Sequence, residues 1–85
     1  MREMTLDDLT RVIRATVGVD DSVDLSADIR DTQFTDLGYD SLAVLEVVSR
    51  LEKEFPASVP EEKISDLRTP RELIDFVNAQ LHAAA

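Results

Sequence analysis

Residues 36–42 read Asp36-Leu37-Gly38-Tyr39-Asp40-Ser41-Leu42, and this stretch predicts the end of a loop followed by the start of a helix. Gly38 allows a sharp turn, because glycine adopts left-handed backbone angles without steric cost. Asp40 and Ser41 are residue types whose side-chain oxygens accept the unpaired N–H groups of a helix N-terminus. The amphipathic run that follows predicts a helix over residues 41–55, with Ser41 at its positively polarised end.

Ser41 is the candidate functional residue of this stretch. A phosphate ester on its hydroxyl would lie where free N–H groups and the helix dipole favour negative charge. Position alone favours a simpler role, because serines that only start a helix are far commoner than modified ones. The neighbouring residues, however, favour a modified serine.

The run Leu37-Gly38-Tyr39-Asp40-Ser41-Leu42, followed by Glu46 and Leu51-Glu52, resembles the attachment motif of acyl carrier proteins. In that family the serine of an Asp-Ser-Leu triplet carries a 4′-phosphopantetheine arm. The resemblance implies that Ser41 is the attachment residue and that Asp40 and Leu42 are its motif flanks. It also implies that Glu46 and Glu52 belong to a face that docks partner enzymes.

The rest of the chain predicts three more helices. The first covers residues 5–17, with Thr5 as its cap and Asp8 completing a capping box. A short third helix is predicted with Pro60 at its first position, and the last helix begins at Thr69-Pro70-Arg71-Glu72, a strong helix start. Residues 18–40 form a long first loop, which we predict to be ordered, with a short turn near 34–37. The fold class is therefore all-α: a small four-helix bundle, acyl-carrier-like, in one domain over residues 1–85.

Apolar residues at helical spacing predict the core. Residues 1–4 are expected to be a frayed end. Asn78 lies near the apolar face of the last helix, so its amide should find a hydrogen-bond partner inside, or else meet a carbonyl of a bound acyl chain. The predicted core positions on the helices are Leu6, Leu9, Val12, Ile13 and Val17, then Leu45, Val48, Leu51 and Phe55 with help from Val44 and Val47, then Ile64 and Leu67, and finally Leu73, Phe76, Val77 and Leu81.

Composition narrows the function. Eighteen acidic residues against nine basic ones give a formal charge of −9, which should repel nucleic acid and anionic membranes and attract basic partners. The chain contains no cysteine, so we expect no disulfide and no thiolate metal site. His82 is its one histidine, and no Ser-His-Asp arrangement or phosphate-binding glycine loop is evident. We therefore predict a non-catalytic, cytoplasmic and monomeric protein.

One alternation of acids offers a different function. Acidic and serine side chains in the first loop fall at the spacing of calcium ligands in an EF-hand. Leu25, however, occupies the position where that loop needs glycine, and an aspartate stands where the bidentate glutamate should be. We interpret the alternation as chance, and keep a small acidic interaction or calcium-binding module as the distant alternative. The residues concerned are Asp20, Ser22, Asp24, Ser26, Asp28 and Asp31.

Tyr39 bears on the pathway. Bacterial fatty-acid carriers usually have alanine at this position, and the run Leu37-Gly38-Tyr39-Asp40-Ser41-Leu42-Ala43 looks most like the discrete carriers of bacterial type II (aromatic) polyketide synthases. That resemblance implies four partners: a phosphopantetheinyl transferase, a ketosynthase/chain-length factor pair, a malonyl acyltransferase and a ketoreductase. A fatty-acid carrier is the nearer alternative. One departure is Thr10, where the family often has the first of two arginines and only Arg11 remains.

Overall fold

The computed structural model describes residues 3–18 and 28–84, and four helices lie within them. Helix α1 spans Leu6–Thr16, α2 spans Ser41–Glu54, α3 spans Glu61–Ile64 and α4 spans Pro70–Ala84. Helix α1 packs against α2 and α4, and α3 packs against α2. The described ranges contain no strand. The predicted all-α bundle of three longer helices and one short helix is confirmed.

The helix starts follow the capping residues in the sequence. The Asp8 N–H donates to Thr5 Oγ1 at 3.2 Å, and the Thr5 N–H donates to Asp8 Oδ2 at 3.0 Å, so the predicted capping box is present. At α4 the Glu72 N–H donates to Thr69 Oγ1 at 3.2 Å. Pro60 differs from the prediction: it caps α3 from outside and is not its first helical residue.

The core is mainly aliphatic. Four predicted core positions, Leu6, Val17, Leu45 and Phe76, are only half-buried and pack against the edge of the core. On α2 the inward face runs through Val44 and Val47 instead, which turns Leu45 toward α3. The buried apolar residues are Met4, Leu9, Val12, Ile13, Ile29, Phe34, Leu37, Val44, Val47, Val48, Leu51, Phe55, Val59, Ile64, Leu67, Leu73, Val77 and Leu81.

The described part of the first loop, residues 28–40, is laid across the bundle. Ile29, Phe34 and Leu37 are buried in the core. The Phe34 N–H donates to the Arg68 carbonyl oxygen at 2.9 Å, which joins the loop to the segment between α3 and α4. A turn covers residues 34–38, as predicted. The ordered loop is thus confirmed for these residues, whereas the apolar residues Val19, Val23 and Leu25 lie outside the described ones.

Two arginine ion pairs join distant segments of the described residues. Arg71 Nε lies 2.7 Å from Asp31 Oδ1, and this hydrogen bond lowers the pKa of the Asp31 carboxyl. Arg11 lies 3.0 Å from Glu54, and the hydrogen bond to that carboxylate raises the pKa of the Arg11 guanidinium. Both pairs are exposed, so each adds little to stability.

The prediction of a frayed N-terminus was wrong for Met4. Its side chain is 2% exposed. Its backbone N–H and carbonyl both bond to the Asn78 amide, at 2.7 and 3.0 Å. The expected inward-facing partner of Asn78 is therefore found, and it anchors the chain before α1. No helix in the described part of the chain is long and apolar enough to cross a membrane.

Candidate attachment site at Ser41

Ser41 is the first residue of α2, and its side chain is exposed. Asp40 caps the helix, because its carboxylate accepts a hydrogen bond from the Ala43 N–H at 2.9 Å. The Asp40 carbonyl accepts the Val44 N–H at 3.0 Å and begins the helical ladder. Asp40 thus satisfies one orphan donor of the helix and leaves the Ser41 hydroxyl facing solvent beside the positive end of the dipole.

The turn before Ser41 is built as the sequence predicts. Gly38 has a φ of 89°, in the left-handed region that favours glycine. Tyr39 follows it half-buried, and its hydroxyl donates to the Gly18 carbonyl oxygen at 3.2 Å. This bond ties the end of the first loop to its beginning, two residues after the end of α1. The position of Ser41 therefore depends on both ends of that loop.

Two hollows open beside Ser41. The loop cleft has a volume of about 230 Å³, and the α3 hollow has a volume of about 340 Å³. Both include Ser41, Ile64 and Ser65, so α3 borders each of them. The further residues that distinguish the loop cleft include Phe34, Thr35, Tyr39, Asp40, Val44 and Arg68. Those that distinguish the α3 hollow are Leu42, Leu45 and Glu61.

The exposed face of α2 begins beside the same serine. Leu42 is 62% exposed, although leucine is usually buried. Glu46 is exposed one turn further on. Glu52 is exposed too, but one of its carboxylate oxygens accepts the Val59 N–H at 2.9 Å. Glu52 therefore supports the segment after α2 in addition to any role in docking.

The structure separates the remaining candidates from this site. Asn78 bonds to Met4, and it lines neither the loop cleft nor the α3 hollow. Thr10 is buried, and its hydroxyl donates to the Asp7 carbonyl at 3.0 Å; it also lines neither hollow. His82 lies 3.5 Å from a Glu3 carboxylate oxygen.

Sequence reasoning missed Arg68 and Glu61 as neighbours of Ser41. Both belong to segments whose position depends on how α3 packs against α2, and neither stands in a motif. The one local signal is that Arg68 interrupts a strongly acidic chain close to the start of α4.

The calcium alternative receives no support from the described residues. Within residues 3–18 and 28–84, no group of three His, Cys, Asp or Glu side chains could hold a metal ion. Asp28 and Asp31 are bonded to Arg30 and Arg71, at 3.0 and 2.7 Å. The other members of the acidic alternation, residues 20–26, lie outside the described part of the chain.

Comparison with known proteins decides the family. A family model described as the phosphopantetheine attachment site matches residues 7–77. The granaticin polyketide synthase acyl carrier protein of Streptomyces violaceoruber is 48% identical over 99% of this chain and 100% of its own length. This chain belongs to the acyl carrier proteins.

Two further comparisons concern the same subgroup of carriers. The actinorhodin polyketide synthase acyl carrier protein of Streptomyces coelicolor is 44% identical over 96% of this carrier and 95% of its own length. A solved structure of the actinorhodin holo acyl carrier protein from S. coelicolor superposes with a TM-score of 0.85 at 43% identity, covering 99% and 98% of the two chains. The predicted family and its polyketide subgroup are thus confirmed. An exposed hydroxyl with an open hollow on each side also fits a flexible phosphodiester arm.

Proposed function

We propose that this carrier holds growing polyketide chains as thioesters on a 4′-phosphopantetheine arm attached to Ser41. The exposed Ser41 hydroxyl at the first residue of α2 carries this proposal, because it lies within the matched attachment segment and is accessible to a partner enzyme. Asp40 supports it by capping the helix without covering the hydroxyl. Family membership supports the predicted carrier function, and the absence of a catalytic site stays a prediction.

Ser41 acts as the acceptor in the attachment reaction. Its oxygen forms a bond to the phosphorus of coenzyme A nearest the pantetheine, 3′,5′-ADP leaves, and the hydroxyl proton passes to the transferase. The new phosphodiester charge lies near the N-terminus of α2, where the dipole favours it. When bound, the arm supplies the thiol that the cysteine-free chain lacks. Tethering raises the effective concentration of the intermediate at each partner enzyme.

The partners are polyketide synthase enzymes: a phosphopantetheinyl transferase, a ketosynthase/chain-length factor pair, a malonyl acyltransferase and a ketoreductase. Leu42 offers them an exposed apolar contact beside the modified serine, and Glu46 and Glu52 offer negative charge. The net charge of −9 favours basic docking surfaces, and this attraction weakens with added salt. The roles of these three residues, the monomeric state and the cytoplasmic location remain predictions.

The pathway follows from the relatives. Polyketide synthase carriers match this chain over nearly its whole length, which favours the polyketide function over the fatty-acid alternative. Loading with malonyl groups and extension by a polyketide ketosynthase pair, compared with a fatty-acid ketosynthase, distinguishes the two pathways. Preferential extension by the fatty-acid enzyme would contradict the polyketide assignment and leave the carrier function intact.

Intact mass spectrometry tests the attachment itself. The carrier is incubated with coenzyme A and a broad-specificity phosphopantetheinyl transferase, beside Ser41→Ala and Ser49→Ala. Ser49 is a matched control, since it is another exposed serine on α2. We expect the mass of one arm on the parent and on Ser49→Ala, and none on Ser41→Ala. No gain on the folded parent, or a gain on Ser41→Ala, would refute the proposed site.

A further inference from the structure

The two hollows beside Ser41 differ in charge. The charged residues that line the loop cleft are Asp40 and Arg68. The charged residue that lines the α3 hollow is Glu61. An anionic group on Ser41 therefore has a carboxylate in each hollow, and the loop cleft adds an arginine.

Arg68 is held in place by its backbone, and its head group is available to an anion as far as the described residues are concerned. Its carbonyl oxygen accepts the Phe34 N–H at 2.9 Å, which fixes the backbone of Arg68 against the first loop. Its side chain is exposed, and among the described residues no carboxylate forms an ion pair with it. In contrast, Arg11 and Arg71 pair with Glu54 and Asp31 at 3.0 and 2.7 Å.

The Arg68 head group is suited to bind a phosphodiester attached to Ser41. The phosphodiester carries one negative charge, and its phosphorus would be bonded directly to the Ser41 oxygen. A guanidinium matches phosphate oxygens with two parallel hydrogen bonds, and it is more weakly hydrated than an ammonium group. Glu61, which lines the α3 hollow, repels the same charge.

The loop cleft also has an apolar wall. Phe34, Tyr39 and Val44 line it together with Arg68. The part of a pantetheine arm next to the phosphate carries two methyl groups on one carbon, which such a wall can shield from water. The α3 hollow offers apolar side chains as well, namely Leu42, Leu45 and Ile64. The charge of Arg68 is therefore what distinguishes the loop cleft.

We propose that Arg68 is a positioning residue that binds the phosphodiester of the arm and directs the arm into the loop cleft. The inference rests on the function proposed above, attachment at Ser41. Arg68 lies across Ser41 from the docking face that starts at Leu42. Its contact orients the arm without occupying the surface that partner enzymes use.

Nuclear Overhauser effects from a labelled arm test this proposal. The carrier is modified with ¹³C-labelled phosphopantetheine, and contacts from the two arm methyl groups are measured to Phe34 and Thr35 in the loop cleft and to Leu42 and Leu45 in the α3 hollow. The variants are Arg68→Gln, Arg68→Lys and Arg14→Gln. Arg14 is a matched control, because it is an exposed arginine on α1 that lines neither hollow.

We expect stronger contacts to the loop cleft in the parent. In Arg68→Gln the ratio of loop-cleft to α3-hollow intensity should fall roughly twofold to fivefold, as for loss of an exposed ion pair. Arg68→Lys should retain part of the preference, because it keeps the charge but loses the paired hydrogen bonds. Added salt should also lower the ratio in the parent. This test uses the parent alone, so it does not depend on the folding of any variant.

Equal ratios in Arg68→Gln and Arg14→Gln, or a parent ratio that does not change with salt, would overturn the role of Arg68. The mass of the modified protein separates this failure from failure of the proposed function. An arm on Ser41 with an unchanged ratio refutes only the positioning role. A parent that gains no arm refutes both.

Discussion

The side-chain amide of Asn78 pairs with both backbone groups of Met4. Its Oδ1 accepts the Met4 N–H at 2.7 Å, and its Nδ2 donates to the Met4 carbonyl oxygen at 3.0 Å. The two residues lie 74 positions apart, so this contact joins the segment before α1 to α4. It also accompanies the burial of the Met4 side chain, which is part of the core.

Removal of this amide should destabilise the fold. Asn78→Ala leaves two partly buried backbone groups of Met4 unpaired, and we expect a loss of about 1–3 kcal/mol in the free energy of unfolding. Gln80→Ala is the matched control, because Gln80 bonds in the same way to the Ser58 backbone but in an exposed position. Urea unfolding measures both variants. Equal losses would contradict an anchoring role for Asn78.

Asp40 contributes both a capping hydrogen bond and a negative charge at the start of α2. Two substitutions separate these contributions. Asp40→Ala removes the hydrogen bond from the Ala43 N–H and should lower the free energy of unfolding by about 1 kcal/mol. Asp40→Asn keeps that bond and should cost only a few tenths, because it removes only the charge from the first turn.

Thermal unfolding and the rate of modification at Ser41 are measured for both Asp40 variants. If the transferase recognises the Asp40 carboxylate, both variants are modified slowly although only one is destabilised. A normal rate for Asp40→Asn would assign Asp40 a purely structural role.

Two leucines of α2 should have opposite roles, one in stability and the other in partner recognition. Leu51 is 2% exposed, and Leu51→Ala should cost about 2–5 kcal/mol of unfolding free energy. Leu42 is 62% exposed, and Leu42→Ala should change stability by no more than about 0.5 kcal/mol. We expect Leu42→Ala to lower kcat/KM for the transferase, because a partner enzyme covers this side chain. An unchanged kcat/KM in the folded variant would remove Leu42 from the docking face.

The ion pair between Arg71 and Asp31 predicts a dependence on pH. The bond to Arg71 lowers the pKa of Asp31 in the folded protein below its ordinary value of 3.8. Its stabilising contribution is therefore complete above that value and is lost as the pH falls further, through the lowered pKa. In Arg71→Gln we expect the Asp31 pKa to rise toward 3.8.

Carboxyl chemical shifts followed by NMR measure this pKa directly. Arg50→Gln is the control, since it removes an exposed arginine of α2 and should leave the Asp31 titration unchanged. The stability difference between parent and Arg71→Gln should shrink at acid pH. A difference that persists below the folded pKa would show that Arg71 stabilises by packing and not through the carboxylate.

Much of this molecule follows from local signals in the sequence. Thr5, Asp40 and Thr69 specify helix starts because their side chains accept nearby N–H groups, a contact that depends on a few residues only. Gly38 specifies the turn before Ser41 for the same local reason. The attachment motif at Ser41 is contiguous, so it can be read without knowledge of the fold.

Tertiary structure decided the features that depend on contacts between distant residues. Met4 is anchored because Asn78 reaches it from α4, and no local pattern predicts that bond. Leu45 lies at the core edge because the rotation of α2 is set by its packing against α1 and α3, whereas periodicity gives only the width of an apolar stripe. Arg68 lines the same cleft as Ser41 because α3 packs against α2 and because a backbone hydrogen bond joins the first loop to the segment between α3 and α4. The sequence alone thus determined the helices and the candidate serine, and the packing of distant segments decided which charges surround it.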